Sequence, residues 1–259
     1  MRIHSFAEPE SLLQGIVTLS SNESHHLARV LRVEAGQELT LFDGQGTRAE
    51  GIVEAVTKKE VTVRITARET VPPPAVEITL IQAVCKPDRF ELILQKATEL
   101  GVRRIQPVIT KNASLPAGKI EKMVERSEAI IRNAAQQCGT AWLPEFQPLE
   151  KFSAVLPMIG KIDAVFIGSL HPDAKPFKEA FRQLSKAAGT AAIRTAGVPP
   201  ALPSIKTAAL LIGPEGDFTE EEVNAAVAAG AIPVTFGKQI LRTETAAIFG
   251  LSVLAYELF

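Results

Sequence analysis

Residues 210 to 223 read LLIGPEGDFTEEEV. An unbroken apolar run enters Gly213-Pro214-Glu215-Gly216, and Thr219 then stands three places before Glu222, the spacing of a capping box that opens a helix. The stretch therefore specifies a strand, a tight turn and a helix. Strands that are apolar throughout are buried on both faces, as in a parallel sheet covered by helices. Ligands of such sheets sit beyond the carboxyl ends of the strands, which is where this turn falls. Gly213 and Gly216 permit backbone angles and close approaches that a β-carbon obstructs, and Pro214 stiffens the turn. A lone Gly-x-x-Gly describes a plain strand-to-helix turn equally well. No Gly-Lys-Ser/Thr ending and no GxGxxG is present, so triphosphate and dinucleotide binding lack their key features.

The C-terminal stretch FGKQILRTETAAIFGLSVLAYELF (236–259) repeats the arrangement: strand end, Gly237, a short connection, and a helix opening with Thr243, Glu244 and Thr245. Arg242 and Glu244 flank that opening and are expected at the mouth of the sheet beside the first turn. Two adjacent loops with one cation and two carboxylates suit a small ligand that has apolar and charged parts. They suit equally a structural ion pair of Arg242 with Glu244 or Glu215.

Towards the N-terminus the same rhythm runs back to residue 76: VEITLIQAV (76–84), a helix DRFELILQKATEL stopped by Gly101, RIQPVIT (104–110), a helix KIEKMVERSEAIIRNAAQQC stopped by Gly139, KIDAVFIGSL (161–170) and a helix near 175–188. TEEEVNAAVAA ends at Gly230, IPVTFG covers 232–237, and a last helix runs from about Thr243 to Leu258. This predicts an α/β domain over residues 76–259, with a Gly-, Ala- and Pro-rich stretch at 189–205 as a mobile surface loop. The connector VPPPA (71–75) favours extended polyproline geometry and marks a boundary. Before it, GIVTLS, QELTLFD, TRAEGIVEAV and EVTVRIT alternate as short strands of a small β-barrel over residues 1–72. SNESHHLARVLRV between the first two is expected to form a short helix capped by Asn22 or Ser24, with Leu27, Val30 and Leu31 inward and Arg29 and Arg32 outward.

Composition sets the bounds. The 259 residues are 46% hydrophobic and carry a net charge of -1, an ordinary globular balance that gives no global support to a nucleic-acid partner. Residues 1–70 hold more acids than bases, so any anion-binding face there must be local. Between Lys86 and Arg132 bases outnumber acids, which reads either as a basic patch or as solvated helix faces. Cys85 and Cys138 stand apart from any second thiol or histidine at ligand spacing, so neither a disulfide framework nor a metal site is expected. With no secretion signal and no membrane-length apolar run, the expected setting is cytoplasmic.

LLIGPEGDFTEEEV, FGKQILRTETAA, KPDRFELILQKATELGVRRIQPVIT and HHLARVLRVEAGQELTLFDGQG occur in an order and at spacings that closely resemble the bacterial 16S ribosomal RNA uridine-N3 methyltransferases of the SPOUT superfamily. The resemblance covers nearly the whole chain. It implies a PUA-like RNA-binding barrel followed by a parallel-sheet SPOUT domain with a trefoil knot, acting as a homodimer on 16S ribosomal RNA or the small ribosomal subunit. It also implies S-adenosyl-L-methionine as cofactor, held by Ile212, Gly213, Pro214, Glu215, Gly216, Phe236, Gly237, Ile240, Leu241, Arg242, Thr243, Thr245 and Ala246, with Gly168 of FIGSL (166–170) contributing. Arg242 is then the residue that stabilises a uracil anion or an adjacent phosphate, Glu244 orients it, and Glu215 is the candidate proton acceptor. Arg29, Arg32, Lys86, Arg89 and Lys111 are the expected RNA contacts.

The chain departs from that family pattern at three places. Asp217 replaces a second glycine after GPEG, Lys111-Asn112 stands where an arginine is usual, and Thr140 stands where Gln-x-Gly-Arg ends in arginine. These leave open a non-catalytic RNA-binding assembly factor on the same fold, or a different target base. A nucleotide-dependent enzyme on an ordinary open sheet is the third alternative.

Overall fold

The computed structural model describes residues 3–57, 59–187 and 205–259. These form two compact units. The first takes Met1–Pro73 together with Ile131–Leu143, and the second takes Pro74–Ile130 and Pro144–Phe259. The loop expected at 189–205 lies, apart from Ile205, outside the described residues.

In the first unit, β1 (His4–Phe6), β2 (Ile16–Thr18), β3 (Glu38–Phe42), β4 (Thr47–Val56) and β5 (Val61–Thr70) make one sheet in the order β1-β3-β4-β5-β2. Apolar residues alternate along β4 and β5, and Leu39, Leu41, Val53, Val61 and Val63 bury one face with Leu12 of the short helix α1 (Pro9–Leu12). Each such side chain, fully withdrawn from water, contributes about 1.5–3 kcal/mol. Strand β1 and helix α1 were not evident from the sequence.

The HHLARVLR segment differs from expectation. Helix α2 (Ser21–His25) is capped by Ser20, whose hydroxyl accepts from Glu23 N–H at 3.4 Å, not by Asn22 or Ser24. Ser24 is instead buried, donating to the Leu19 carbonyl and accepting from Val61 N–H. From His26 to Leu31 the chain widens into a π-helix that ends at Arg32 in the left-handed conformation, φ 55°. In a π-turn the residues at i+3 and i+4 no longer return to the same face. Leu27 and Val33 are therefore buried, while Val30 and Leu31 are 62% and 43% exposed and not inward.

The second unit is built on β6 (Glu77–Ala83), β7 (Arg104–Ile109), β8 (Glu145–Phe146), β9 (Glu150–Lys151), β10 (Ala164–Gly168), β11 (Lys175–Pro176), β12 (Thr207–Ile212) and β13 (Ile232–Thr235). The order is β11-β13-β10-β12-β6-β7-β8, β9 also pairs with β7, and every pairing in this sheet is parallel. Its helices are α3 (Pro87–Glu99), α4 (Ala117–Cys138), α5 (Phe152–Ile159), α6 (Phe177–Ala187), α7 (Glu220–Ala228) and α8 (Thr243–Leu258).

Successive residues of a strand face opposite sides, and the core obeys this. Ala209 and Leu211 of β12 join Val165 and Ile167 of β10 against Val155 and Ile159 of α5 and Val223 and Ala226 of α7. Leu210, between them, faces Gly250 of α8, where a β-carbon would lie 2.6 Å from a Leu210 methyl. Helices thus cover both faces of the sheet. Helix α4 stops at Gly139, φ 74°, as the glycine predicts, but its residues from Ile131 onward count with the first unit. Among the described residues no helix is long and apolar enough to cross a membrane.

Candidate functional site

Because all strands of the second sheet run the same way, their carboxyl ends share one edge. Register puts Ile212 of β12 beside Gln82 of β6, Ile167 beside Leu211, and Gly168 of β10 beside Val234 of β13. The chain leaves these strands in loops that enclose a cavity of about 530 Å³. That volume is typical of small-molecule sites.

Most residues expected to hold a cofactor line it. Ile212, Gly213, Pro214 and Glu215 come from the loop after β12, and Phe236, Ile240, Leu241, Arg242, Thr243 and Ala246 from the loop after β13 and the start of α8. Gly168 comes from the end of β10. Gly216, Gly237 and Thr245, also expected, are not among the lining residues. Ser169 and Leu170 line it beside Gly168, while Val234, Thr235, Gln239 and Asp217 line the cavity without having been expected to. Ser169 and Leu170 were within reach of the sequence, since they complete FIGSL. Of the cations expected to meet RNA, Lys86 and Arg89 line the cavity, whereas Lys111 does not and Arg29 and Arg32 belong to the first unit.

The GPEG turn is fixed from three directions. Thr219 and Glu222 form the capping box in full, with Thr219 accepting from Glu222 N–H and Glu222 from Thr219 N–H. Such a cap stabilises a helix start by about 1 kcal/mol. Thr243 at the head of α8 donates its hydroxyl to the Gly213 carbonyl at 2.6 Å, and Gln82 Nε2 reaches Thr243 Oγ1 at 3.3 Å, so a buried polar chain ties β6, the first loop and the second loop together. Gln82 Oε1 is buried with no hydrogen-bond partner among the described residues. From the third side, Asn112 Nδ2 donates to the carbonyls of Gly216 at 2.9 Å and Asp217 at 3.0 Å.

The glycines of the turn serve close approach rather than unusual angles. A β-carbon on Gly213 would lie 3.1 Å from Phe218 N, and one on Gly216 would lie 3.2 Å from Asn112 Cβ. The left-handed position is Asp217, φ 58°, a conformation that aspartate tolerates better than most residues. Its carboxylate accepts from Phe218 N–H at 2.8 Å through Oδ1 and from Leu170 N–H at 3.3 Å through Oδ2. Asp217 and Asn112, two of the departures noted in the sequence, are therefore both parts of one brace.

The charges pair differently from expectation. Glu244, whose side chain is only 8% exposed, meets Arg89 of α3 at 2.7 Å and not Arg242. Arg89 also approaches Asp88 at 3.3 Å. Arg242 is exposed, and among the described residues no carboxylate lies within ion-pair distance of it. The expected Arg242–Glu244 orienting contact is thus corrected: Glu244 holds Arg89 because α3 packs beside the head of α8, which leaves the Arg242 charge free at the cavity. Glu215 accepts from Lys86 N–H at 3.1 Å. Lys111 is turned to α7, its N–H on Glu222 and its ammonium 3.8 Å from Glu221. Glu221 titrates below the ordinary carboxylate range because the Thr219 hydroxyl donates to it, with its own N–H and the Lys111 charge adding to the effect. Cys85, just behind the Lys86 edge, has its thiol pushed well up by burial, and the charges of Glu215, Glu244 and Asp88 push it further.

A family model described as an RNA methyltransferase domain matches residues 72–255, and one described as an RNA methyltransferase PUA domain matches residues 19–66. The chain belongs to the RNA methyltransferase family. Among RNA methyltransferases, the ribosomal RNA small subunit methyltransferase E of Synechocystis sp. is 28% identical over 94% of this chain and 74% of its own length. A Legionella pneumophila methyltransferase solved with bound cofactor SAM superposes with a TM-score of 0.81 at 31% identity, over 99% of this chain and 98% of that one. The ribosomal RNA small subunit methyltransferase E of Neisseria gonorrhoeae bound to S-adenosyl methionine gives 0.80 at 28% identity, over 100% and 98%. The PUA unit and the parallel-sheet methyltransferase unit described above are the architecture of these proteins.

Proposed function

We propose that this RNA methyltransferase transfers a methyl group from S-adenosyl-L-methionine to N3 of a uridine in 16S ribosomal RNA of the small subunit. The observation that carries the proposal is the cavity itself: the GPEG and ILRTETA loops, far apart in the chain, wall it together, and Arg242 lines it with no carboxylate partner among the described residues. Similarity to proteins that bear the small-subunit methyltransferase name and bind the cofactor supports substrate and cofactor alike.

The residues present fit the cofactor. Ile212, Phe236 and Leu241 offer apolar cover for an adenine ring, and Gly213, Pro214 and Glu215 bring loop backbone to its polar edge. Gly168 belongs to the same cradle, since a β-carbon there would lie 2.9 Å from the Phe236 ring and 3.3 Å from Ile212. When bound, the cofactor supplies an electrophilic methyl on a sulfonium. The chain's own task is to present an extruded uracil in line with that methyl and to manage loss of the N3 proton. A guanidinium is a fixed cation and a poor base, so Arg242 stabilises the developing uracil anion and Glu215 is the acceptor candidate. Glu244 acts by holding Arg89, which with Lys86 lies at the RNA side of the cavity. Arg29, Arg32 and Lys111 complete the proposed RNA contacts. A trefoil knot in the second unit, a homodimer and a cytoplasmic setting belong to the same reading.

The decisive experiment supplies labelled S-adenosyl-L-methionine and small ribosomal subunits lacking modification, then digests the RNA and identifies the product nucleoside by mass spectrometry. N3-methyluridine is the expected product. Transfer to another base would retain the enzyme and change its target, and cofactor binding without transfer would favour the assembly-factor alternative.

A further inference from the structure

The cavity of the second unit is lined by three cations, Lys86, Arg89 and Arg242, and three carboxylates, Glu215, Asp217 and Glu244. The carboxylates are not equivalent. Glu244 is neutralised by Arg89 at 2.7 Å. Glu215 is exposed, where water and salt screen its charge. Asp217 is half-buried and accepts from two neutral donors, Phe218 N–H at 2.8 Å and Leu170 N–H at 3.3 Å. No cation among the described residues stands within ion-pair distance of it. Lys111, next to the Asn112 that braces its backbone, is turned to Glu221 at 3.8 Å. The two backbone donors fix the carboxylate at the cavity wall without cancelling its charge, and a carboxylate has capacity for about two donors more. Without Asp217 the lining would be net positive.

We infer that Asp217 is the residue by which this chain tells S-adenosyl-L-methionine from its own product, S-adenosyl-L-homocysteine. This rests on the reading of the cavity as the cofactor site and deepens it. The amino-acid ends of both compounds are zwitterions without net charge, and the adenosine they share is neutral. The net positive charge of the cofactor is therefore that of its sulfonium. In transfer the S–CH3 bond breaks with its electron pair left on sulfur, the methyl replaces a proton on the base nitrogen, and a neutral thioether remains. What separates the two compounds is one methyl and one unit of charge. A fixed carboxylate acts on that charge across the width of a cavity, and at a half-buried site such a pair changes affinity several-fold without direct contact. Asp217 offsets the cations that the lining carries, holds the cationic form and lets the neutral one go. The chain consequently resists inhibition by its product.

The test is calorimetric titration of the full chain with each compound. Wild type is compared with Asp217→Asn, Asp217→Gly, Asn112→Ala and Glu215→Gln. Asparagine and glycine both suit the left-handed backbone at position 217. The expected result for both neutral variants is a fall of about three- to tenfold in the ratio of dissociation constants, product over cofactor, carried by weaker binding of the cofactor. Asn112→Ala loosens the brace and should weaken both compounds alike. Glu215→Gln should leave the ratio within about twofold. In multiple-turnover transfer, added product should inhibit Asp217→Asn more strongly than wild type. Equal losses for both compounds in the Asp217 variants overturn the inference, because the side chain then serves parts that the two share. Unchanged affinities overturn it too, and a ratio that falls as far in Glu215→Gln moves the discrimination to that residue. Melting temperatures without ligand separate a loss of folding from a loss of binding. A wild-type chain that transfers methyl groups yet binds both compounds equally loses the selectivity and keeps the enzyme assignment, whereas one that binds neither loses both.

Discussion

Arg89 donates to Glu244 Oε1 at 2.7 Å across 155 residues of sequence, and the carboxylate is almost wholly withdrawn from water while the guanidinium remains about one-third exposed. This joins the start of α3 to the first turn of α8 at the edge of the cavity. Removing one partner leaves the other charge poorly solvated, and such losses are strongly destabilising in a buried setting. Exposure on the arginine side moderates the cost. Glu244→Gln is expected to lower stability by about 1–3 kcal/mol in urea unfolding. Arg89→Met should cost less than the sum of the single effects when combined with it, which a double-mutant cycle measures directly.

Arg242 is exposed and has no ion-pair partner among the described residues, so its removal should hardly touch the fold. Arg242→Ala is expected to change unfolding free energy by less than about 0.5 kcal/mol. If it stabilises a developing anion, methyl transfer should fall by about 100-fold or more with cofactor affinity retained. Single-turnover transfer beside calorimetric titration tests this, and transfer within a few-fold of wild type would remove Arg242 from the chemistry.

The brace formed by Asn112 and Asp217 predicts a binding defect rather than a chemical one. Asn112→Ala deletes two bonds to the Gly216 and Asp217 carbonyls, each worth about 0.5–1.5 kcal/mol. Cofactor dissociation constants should rise by about three- to thirtyfold, while saturating transfer rates stay close to wild type. Asp217→Gly relieves the left-handed backbone but frees Leu170 N–H, so it should weaken cofactor binding.

Asp163 supplies a pH dependence. Its carboxylate accepts from Lys206 N–H, Thr207 N–H and the Thr207 hydroxyl at the start of β12, and the two backbone donors hold its pKa below the ordinary 3.8. A depressed folded-state pKa adds stability that is fully present above the unfolded value and is lost as pH falls through the folded one. The urea midpoint of wild type should therefore exceed that of Asp163→Asn near neutral pH, and the gap should close as pH is lowered below about 4.

The thiols should separate cleanly under alkylation. Cys138 is exposed, while Cys85 is buried and its thiolate is opposed by burial and by nearby carboxylates. Maleimide followed by mass spectrometry of intact protein should show modification at Cys138 alone in the folded state, and at both once denaturant is added.

Much of the second unit could be read from sequence because its determinants are local. Ala208 to Ile212 is a continuous apolar run and Ile78 to Val84 a mostly apolar one, Gly101 and Gly230 end helices, and Thr219 with Glu222 announces a cap. The missing pieces lacked such signals. Strands β8, β9 and β11 are two residues each, held by neighbours rather than by propensity, and α5 contains Pro157 in its interior, which reads as a helix breaker, while Phe152, Val155 and Ile159 anchor the helix in the core. The π-turn after α2 defeated a reading based on α-helical spacing, since Leu27, Val30 and Leu31 would share a face only in an α-helix. In the site, loop membership was legible but pairing was not. Glu244 has Arg242 two places away and Arg89 155 away, and only the tertiary fold brings the distant one into contact.

The hydrogen-bonded chain from Gln82 through Thr243 to the Gly213 carbonyl runs through the interior, not over the surface. The two loops that wall the cavity are consequently seated on the same interior that keeps β6, β12 and α8 assembled, and neither can come loose while that interior persists. Ligand capture and cooperative melting of this unit then become a single linked equilibrium. At a hundredfold excess over its dissociation constant a ligand adds about 2.7 kcal/mol to such an equilibrium, so the melting temperature itself serves as a sensitive gauge of cavity occupancy.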